Sequence, residues 1–272
     1  MVVDHPSKTS LWYTPNVIIS MGVTVMEETF LALDLWPKVP LYCYNWDCYE
    51  WVWTRPRPGE YDYKRYGELL SRAREIWVPS HCTGVRTTQW WGLKNWHVVL
   101  SAVPYWDWEY KEVATGAGTG DSLQDGGYAF CALREIPDQW WGVFEECCAE
   151  LKIPYVCTKH ERSYTEYQRA VAHCRFLVSP LYELSTGGLS LLEGYYLGKP
   201  CLLSDSEWHG GRDYLGGRAH YFKFPDKEDF KRQLLMLYSN QQPVEPDHKE
   251  WVEKNFSDQR MIDDMLAAIG ID

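Results

Sequence analysis

Short, uninterrupted apolar runs alternate with amphipathic stretches along most of this chain. In the first half, residues 16–21 (NVIISM), 39–44 (VPLYCY), 75–79 (EIWVP) and 96–102 (WHVVLSA) predict strands. Their apolar positions are continuous rather than alternating, the pattern of parallel strands covered on both faces. Between them, residues 62–74 place Tyr63, Tyr66, Leu70 and Ala73 on one helical face.

The second half is more regular. Strands are predicted over 128–133, 154–158, 176–179, 201–204 and 220–224. The helix from Asp138 buries Trp140, Phe144, Cys147 and Leu151. Ser163 and Glu166 form a capping box ahead of a stripe of Tyr167, Ala170, Val171 and Cys174. A helix over 188–197 stops at Gly198-Lys199-Pro200, a glycine followed shortly by proline. Asp226 caps a helix with Phe230, Leu234 and Leu237, and the tail from Asp258 carries Ile262, Leu266 and Ile269. Strand and helix alternating at this pitch predict an α/β protein of doubly wound, Rossmann-like sheets. We divide it into a reduced N-terminal domain (1–110), a Gly-rich linker (111–127) and a C-terminal domain (128–272). Two such domains leave a cleft, with ligands at the carboxyl ends of the strands.

Composition narrows the function. A length of 272 residues suits one large or two small domains, and 45% hydrophobic residues suffice for a sizeable core. A net charge of −11 speaks against nucleic acid as a partner, since that binding rests on clustered Lys and Arg. No apolar run reaches the roughly 20 residues of a membrane-spanning helix, and Asp4, His5 and Pro6 stand where a secretory leader would be apolar. The 9 cysteines form no CxxC pair, which favours reduced thiols and a cytoplasmic setting. The linker's Gly116-Ala117-Gly118-Thr119-Gly120 mimics a dinucleotide fingerprint but lacks the preceding strand and following helix, so a dehydrogenase is disfavoured. Tryptophan is in excess: of 15 residues, 13 lie at or before position 141. They either fill cores or, as with Trp46, Trp51, Trp53, Trp106 and Trp108 near strand ends, face sugar rings.

The segment with most chemical content is 179–200, SPLYELSTGGLSLLEGYYLGKP. A strand ends at Ser179-Pro180, a loop with Glu183, Ser185, Thr186, Gly187 and Gly188 follows, and a helix opens near Leu189. The first N–H groups of a helix have no intrahelical partner, so the N–H groups of Gly188, Leu189 and Ser190 can hold a diphosphate. Glu193 lies one turn inside, among Leu191, Leu192, Tyr195 and Tyr196, and a carboxylate there can accept two bonds from a ribose diol. A plainer reading stays open on these residues alone, in which Glu193 is a satisfied buried side chain and the glycines only turn the chain.

The block Glu183, Gly188-Leu189, Leu192-Glu193, Gly198-Lys199-Pro200, then an apolar strand and Gly210-Gly211, resembles the C-terminal half of retaining GT-B glycosyltransferases of family 4. More loosely, the resemblance extends over 128–272 and upstream to 74–103. It departs from the family in three ways. Glu183 and Glu193 are ten apart where the family has eight, so the loop carries an insertion or Ser185 takes the first position. Arg134 fits the family's diphosphate arginine, but Trp140-Trp141 stand where a lysine is expected. The opening strand and glycine-rich loop of the family's N-domain are missing.

The resemblance implies transfer of a sugar from a nucleoside diphosphate sugar to a carbohydrate or other hydroxyl acceptor, with retention and no cofactor beyond the donor co-substrate, and a phosphate site at a helix start makes a metal less necessary. It implies a donor site of Arg134, Thr186, Gly187, Gly188, Leu189, Ser190 and Glu193. Glu183 would act at the donor sugar, and Asp47, at a strand end in the N-domain, would orient the acceptor. Asp205-Ser206-Glu207 imitates the acidic metal pair of the other major transferase fold. A nucleotide-sugar-binding module without catalysis, or a subunit completed by a partner, is the alternative, and a homo-oligomer is left open.

Overall fold

The computed structural model describes residues 14–46, 62–102, 127–131, 138–157, 164–180, 189–240 and 243–271. The chain divides into two compact units, Met1–Leu100 and Ser101–Asp272. Asp47, Arg134, Glu183 and 186–188 lie outside the described residues, as do 111–126 of the linker, Ser163, and Trp51, Trp53, Trp106 and Trp108.

The first unit is a parallel sheet in sequential order. Strands β1 (Ile18–Met21), β2 (Leu41–Tyr44), β3 (Glu75–Val78) and β4 (Trp96–Val98) alternate with helices α1 (Met26–Leu35), α2 (Tyr63–Arg72) and α3 (His81–Trp91). Asp62 caps α2 by accepting from the backbone N–H groups of Lys64 and Arg65, and Tyr66, Leu69 and Leu70 then bury its apolar stripe. Ile18, Leu41, Cys43, Ile76 and Val78 of the sheet meet that stripe together with Met26, Ala32 and Leu33 of α1. The edge strand β1 departs from the expected two-sided burial, leaving Ile19 exposed.

Several tryptophans fill the first unit rather than its surface. Trp77 is fully buried against Tyr42, and Trp91 stacks on Tyr63. Glycines make the room: a Cβ on Gly67 would lie 2.4 Å from the Trp91 ring, and one on Gly84 would lie 2.5 Å from Trp96. Trp46, directly after β2, is the half-exposed member of the group, edge-on to Tyr44.

The second unit is a five-stranded parallel sheet in the order β6-β5-β7-β8-β9. Its strands are β5 (Ala129–Cys131), β6 (Tyr155–Cys157), β7 (Phe176–Ser179), β8 (Cys201–Ser204) and β9 (His220–Phe222). The helices are α4 (Asp138–Leu151), α5 (Tyr164–His173), α6 (Leu189–Tyr196), α7 (Gly211–Leu215), α8 (Lys227–Ser239), α9 (His248–Asn255) and α10 (Asp258–Ile269). Ala129, Phe176, Val178, Leu202 and Phe222 face Trp140, Phe144 and Cys147 of α4 and Phe230, Leu234 and Leu237 of α8. Alternate positions of the same strands face the other way, where Leu177 meets Gly194 of α6 and Leu203 meets Gly211 of α7. The sheet is therefore covered on both faces, as the unbroken apolar runs require.

Asp226 caps α8 through the N–H groups of Glu228 and Asp229. Helix α6 stops at Gly198, whose φ of 75° is left-handed, with Gly198 N–H donating to the Tyr195 carbonyl and Lys199 N–H to that of Gly194. In α10 the buried position is Met265, and Ile262 is exposed, a correction to the stripe read from the sequence. The eight described cysteines are free and buried. Burial pushes the thiols of Cys43, Cys148 and Cys174 up to about 12, so they behave as small apolar side chains. Among the described residues no helix is long and apolar enough to cross a membrane.

Among the described glycines of this unit, Gly194, where α6 packs on β7, has the nearest neighbour. A Cβ on Gly194 would lie 2.3 Å from Leu177 Cδ1. We expect Gly194→Ala to destabilise the protein by about 1–3 kcal/mol through overpacking, read as a lower urea midpoint at unchanged slope. Gly142→Ala, on open helix surface, is the control and leaves the midpoint the same or higher.

Candidate functional site

Strand order places a topological switch point in the second unit. The chain runs from β5 to β6 on one side and then crosses back to β7 on the other side of β5. Where the order reverses, the connections at the carboxyl ends of two neighbouring strands diverge to opposite faces, and ligands of open parallel sheets bind there. The strand ends at this point are Cys131 and Ser179. Of the residues singled out in the sequence, Arg134 follows the first, and Glu183 and Thr186–Gly188 follow the second, all beyond the described residues.

Helix α6 leads away from this edge. Its first residue Leu189 is 39% exposed and Ser190 is half-buried, so solvent reaches the start of the helix, where the first N–H groups have no intrahelical partner. The next six residues, Leu191–Tyr196, are buried. Glu193 is among them at 7% exposure. A carboxylate taken that far from water needs a donor, and the Tyr167 hydroxyl supplies one through a short hydrogen bond. Tyr167 comes from α5, with its ring against Phe130 of β5. Glu193 and Tyr167 thus link the helices that follow β6 and β7.

The far end of α6 is held by a second set of polar groups. Tyr195 donates to Glu245 in another short bond and accepts from Arg218 at 3.1 Å. Arg218 forms a two-pronged pair with Asp247 at 2.8 and 2.9 Å and lies over the Trp251 ring. Burial, reinforced by the neighbouring Glu245 carboxylate, pushes the Tyr195 phenol up to about 12, so it stays a donor. This anchor holds the helix that carries Glu193 against α9.

The turn after β8 contributes His209, 1% exposed. Its Nε2 is 2.8 Å from Ser179 Oγ, and its Nδ1 accepts the Gly211 N–H at 3.1 Å. Burial is the main force lowering its pKa to about 4, and Arg212 adds to that. The backbone of Ser179 and His209 opposes the shift without offsetting it. A lone histidine is a weak signal in a sequence. The signal is its partner Ser179, thirty positions away and adjacent only once β7 and β8 pair.

Other expectations resolve differently. Asp205 accepts the Phe224 N–H on its carboxylate at 2.7 Å and takes a short bond from Arg212 on its carbonyl, so both residues tie the turn after β8. No group of three or more His, Cys, Asp or Glu among the described residues is arranged to hold a metal. Trp140, which stands near the position expected for a lysine, is a core residue packed on Phe222, Phe224 and Phe230.

No family model and no curated protein sequence matches the chain. Solved structures do match over nearly its whole length. HepE of Anabaena, solved with UDP and glucose, superposes with a TM-score of 0.64 at 10% identity, over 93% of this chain and 77% of that one. The starch synthase IV catalytic domain of Arabidopsis thaliana, bound to ADP and acarbose, gives 0.62 at 12%, over 94% and 72%. A glycosyltransferase of Rickettsia africae gives 0.63 at 13%, over 93% and 76%. The fold is that of the GT-B glycosyltransferases.

The neutral His209 gives a pH signature. Its folded pKa lies below its unfolded value of 6.5, so between those values the unfolded chain binds a proton that the folded chain refuses. The associated stability is complete above pH 6.5 and is lost as pH falls towards about 4. From pH 7 to pH 5 we expect the wild type to lose about 2 kcal/mol more than His209→Gln, measured by urea unfolding at both pH values. Parallel losses in the two proteins would mean that His209 titrates normally.

Proposed function

We propose that this protein transfers a sugar from a nucleoside diphosphate sugar to an acceptor hydroxyl. The observation that carries the reading is Glu193, a carboxylate 7% exposed, one turn inside a helix whose start is open to solvent beside the switch point of a parallel sheet. In a GT-B fold that arrangement suits a donor whose diphosphate lies at the helix start and whose ribose hydroxyls reach the acid behind it. The bound UDP and ADP of HepE and starch synthase IV support the same ligand class. Leu189 and Ser190 N–H groups meet the diphosphate together with Arg134 and the 186–188 turn. As the glycosidic bond breaks, charge builds on the leaving diphosphate, and these donors stabilise it.

Retention follows the resemblance to family 4, and the other fine assignments follow from where the residues stand in the sequence. Transfer proceeds with retention, Glu183 works at the donor sugar, and Asp47 orients the acceptor. The reaction needs no metal, in keeping with an Asp205 carboxylate already engaged by Phe224 N–H. The eight buried free thiols accord with the reducing cytoplasm.

A thermal-shift screen over UDP-, ADP- and GDP-sugars tests the donor site, because a ligand that binds only the folded state raises its stability. One of the three is expected to raise Tm, and Glu193→Gln to weaken that ligand by roughly 10–100-fold, the worth of a hydrogen bond to a charged group. Release of nucleoside diphosphate from that donor without acceptor, undiminished in EDTA, is the expected catalytic result. Binding with no release would make the protein a nucleotide-sugar-binding module, and release abolished by EDTA would make it metal-dependent.

A further inference from the structure

The contact between Ser179 and His209 has the dimensions of a nucleophile and its base, but its protons are arranged the other way round. Gly211 N–H donates to Nδ1 at 3.1 Å, so a neutral ring carries its proton on Nε2. That Nε2–H faces Ser179 Oγ at 2.8 Å and donates to it. The serine is therefore an acceptor towards the histidine, and its own hydroxyl proton has no acceptor among the described residues. Ser179 is 5% exposed and sits at the carboxyl end of β7, on the face of the sheet covered by α6 and α7. A buried hydroxyl proton without an acceptor costs about 1–3 kcal/mol, and an anionic oxygen arriving there removes that cost.

We propose that Ser179 donates its hydroxyl proton to a diphosphate oxygen of the bound nucleotide, and that His209 is the positioning residue that sets the direction of that donation. The assignment rests on the donor-site reading above and adds to it a side-chain donor from the strand end and the residue that orients it. His209 never touches the ligand. It reaches Ser179 from the turn after β8, so the end of β7 and the start of α7 are locked together when the ring is neutral. Two substitutions separate its two contacts. His209→Gln places an amide N–H near the Nε2 position and keeps the donation to Ser179. His209→Asn places an oxygen near Nδ1, which keeps the Gly211 N–H satisfied and leaves Ser179 without its donor.

The test titrates wild type, Ser179→Ala, His209→Gln and His209→Asn with UDP, ADP and GDP by calorimetry, and with uridine, adenosine and guanosine by saturation-transfer NMR. Thermal melts confirm that each variant is folded. For whichever diphosphate the wild type binds, Ser179→Ala and His209→Asn are expected to weaken affinity about tenfold, with the parent nucleoside unaffected. His209→Gln should recover most of the loss, and the Ser179→Ala/His209→Asn double variant should be no weaker than Ser179→Ala alone. Wild-type affinity in Ser179→Ala, or equal losses for diphosphate and nucleoside, would overturn the assignment while leaving the donor site standing. A wild type that binds none of the three diphosphates would overturn both.

Discussion

The close approach of helix α6 to strand β7 at Gly194 is the constraint on which the second unit's chemistry depends. With no side chain on that residue, Leu177 fills the space, and the helix lies flat on the sheet. The consequence is burial of Leu191–Tyr196, including the Glu193 carboxylate. A buried acid is tolerated only where donors meet it, and α5 supplies one through Tyr167. At the far end, Tyr195, Glu245, Arg218 and Asp247 fix the helix from behind. Among the described residues these contacts clamp α6 behind its exposed first residue, Leu189, a rigid support of the kind a binding site needs.

Much of this frame was legible from residue order because β-strands and stripes of large apolar residues announce themselves. The nine strands described fall inside the predicted runs, and α2, α4, α5 and α8 show the expected faces. Helix α3 is harder to read because its buried side is Cys82, Thr83, Gly84 and Thr87, which look like a polar turn until Trp96 is seen packed into the Gly84 notch. Helix α1 buries Met26, Thr29, Ala32 and Leu33 but starts from Val25 with no side-chain cap, so nothing marks its beginning. Glu193 was legible for the opposite reason, as an acid in the middle of an apolar helix.

The tryptophan excess shows where composition misleads. Large flat side chains near strand ends read equally as sugar platforms and as core, and sequence cannot choose between them. The structure assigns Trp77, Trp91 and Trp96 to packing, and the deciding residues are the glycines and aromatics opposite them rather than the tryptophans themselves. Trp46, 38% exposed after β2, keeps the other reading alive for the first unit. The same logic applies to Trp140, whose neighbours Phe222, Phe224 and Phe230 make it part of the core.

Polar burial at the carboxyl edge of the second sheet has a direction. A serine against a histidine at 2.8 Å invites a hydrolytic reading, yet that chemistry needs an unprotonated Nε2 and a ring that accepts protons near neutrality. Here Gly211 occupies Nδ1, and burial holds the ring's pKa at about 4, so the imidazole gives a hydrogen bond and takes none from the serine. The helix start offers N–H groups in the same sense. Backbone and side chains at this edge both present hydrogen, which matches a ligand rich in anionic oxygen and sits poorly with a nucleophile attacking a carbonyl. This shared polarity, more than the likeness of any single motif, is what supports our proposal of a diphosphate ligand at the switch point.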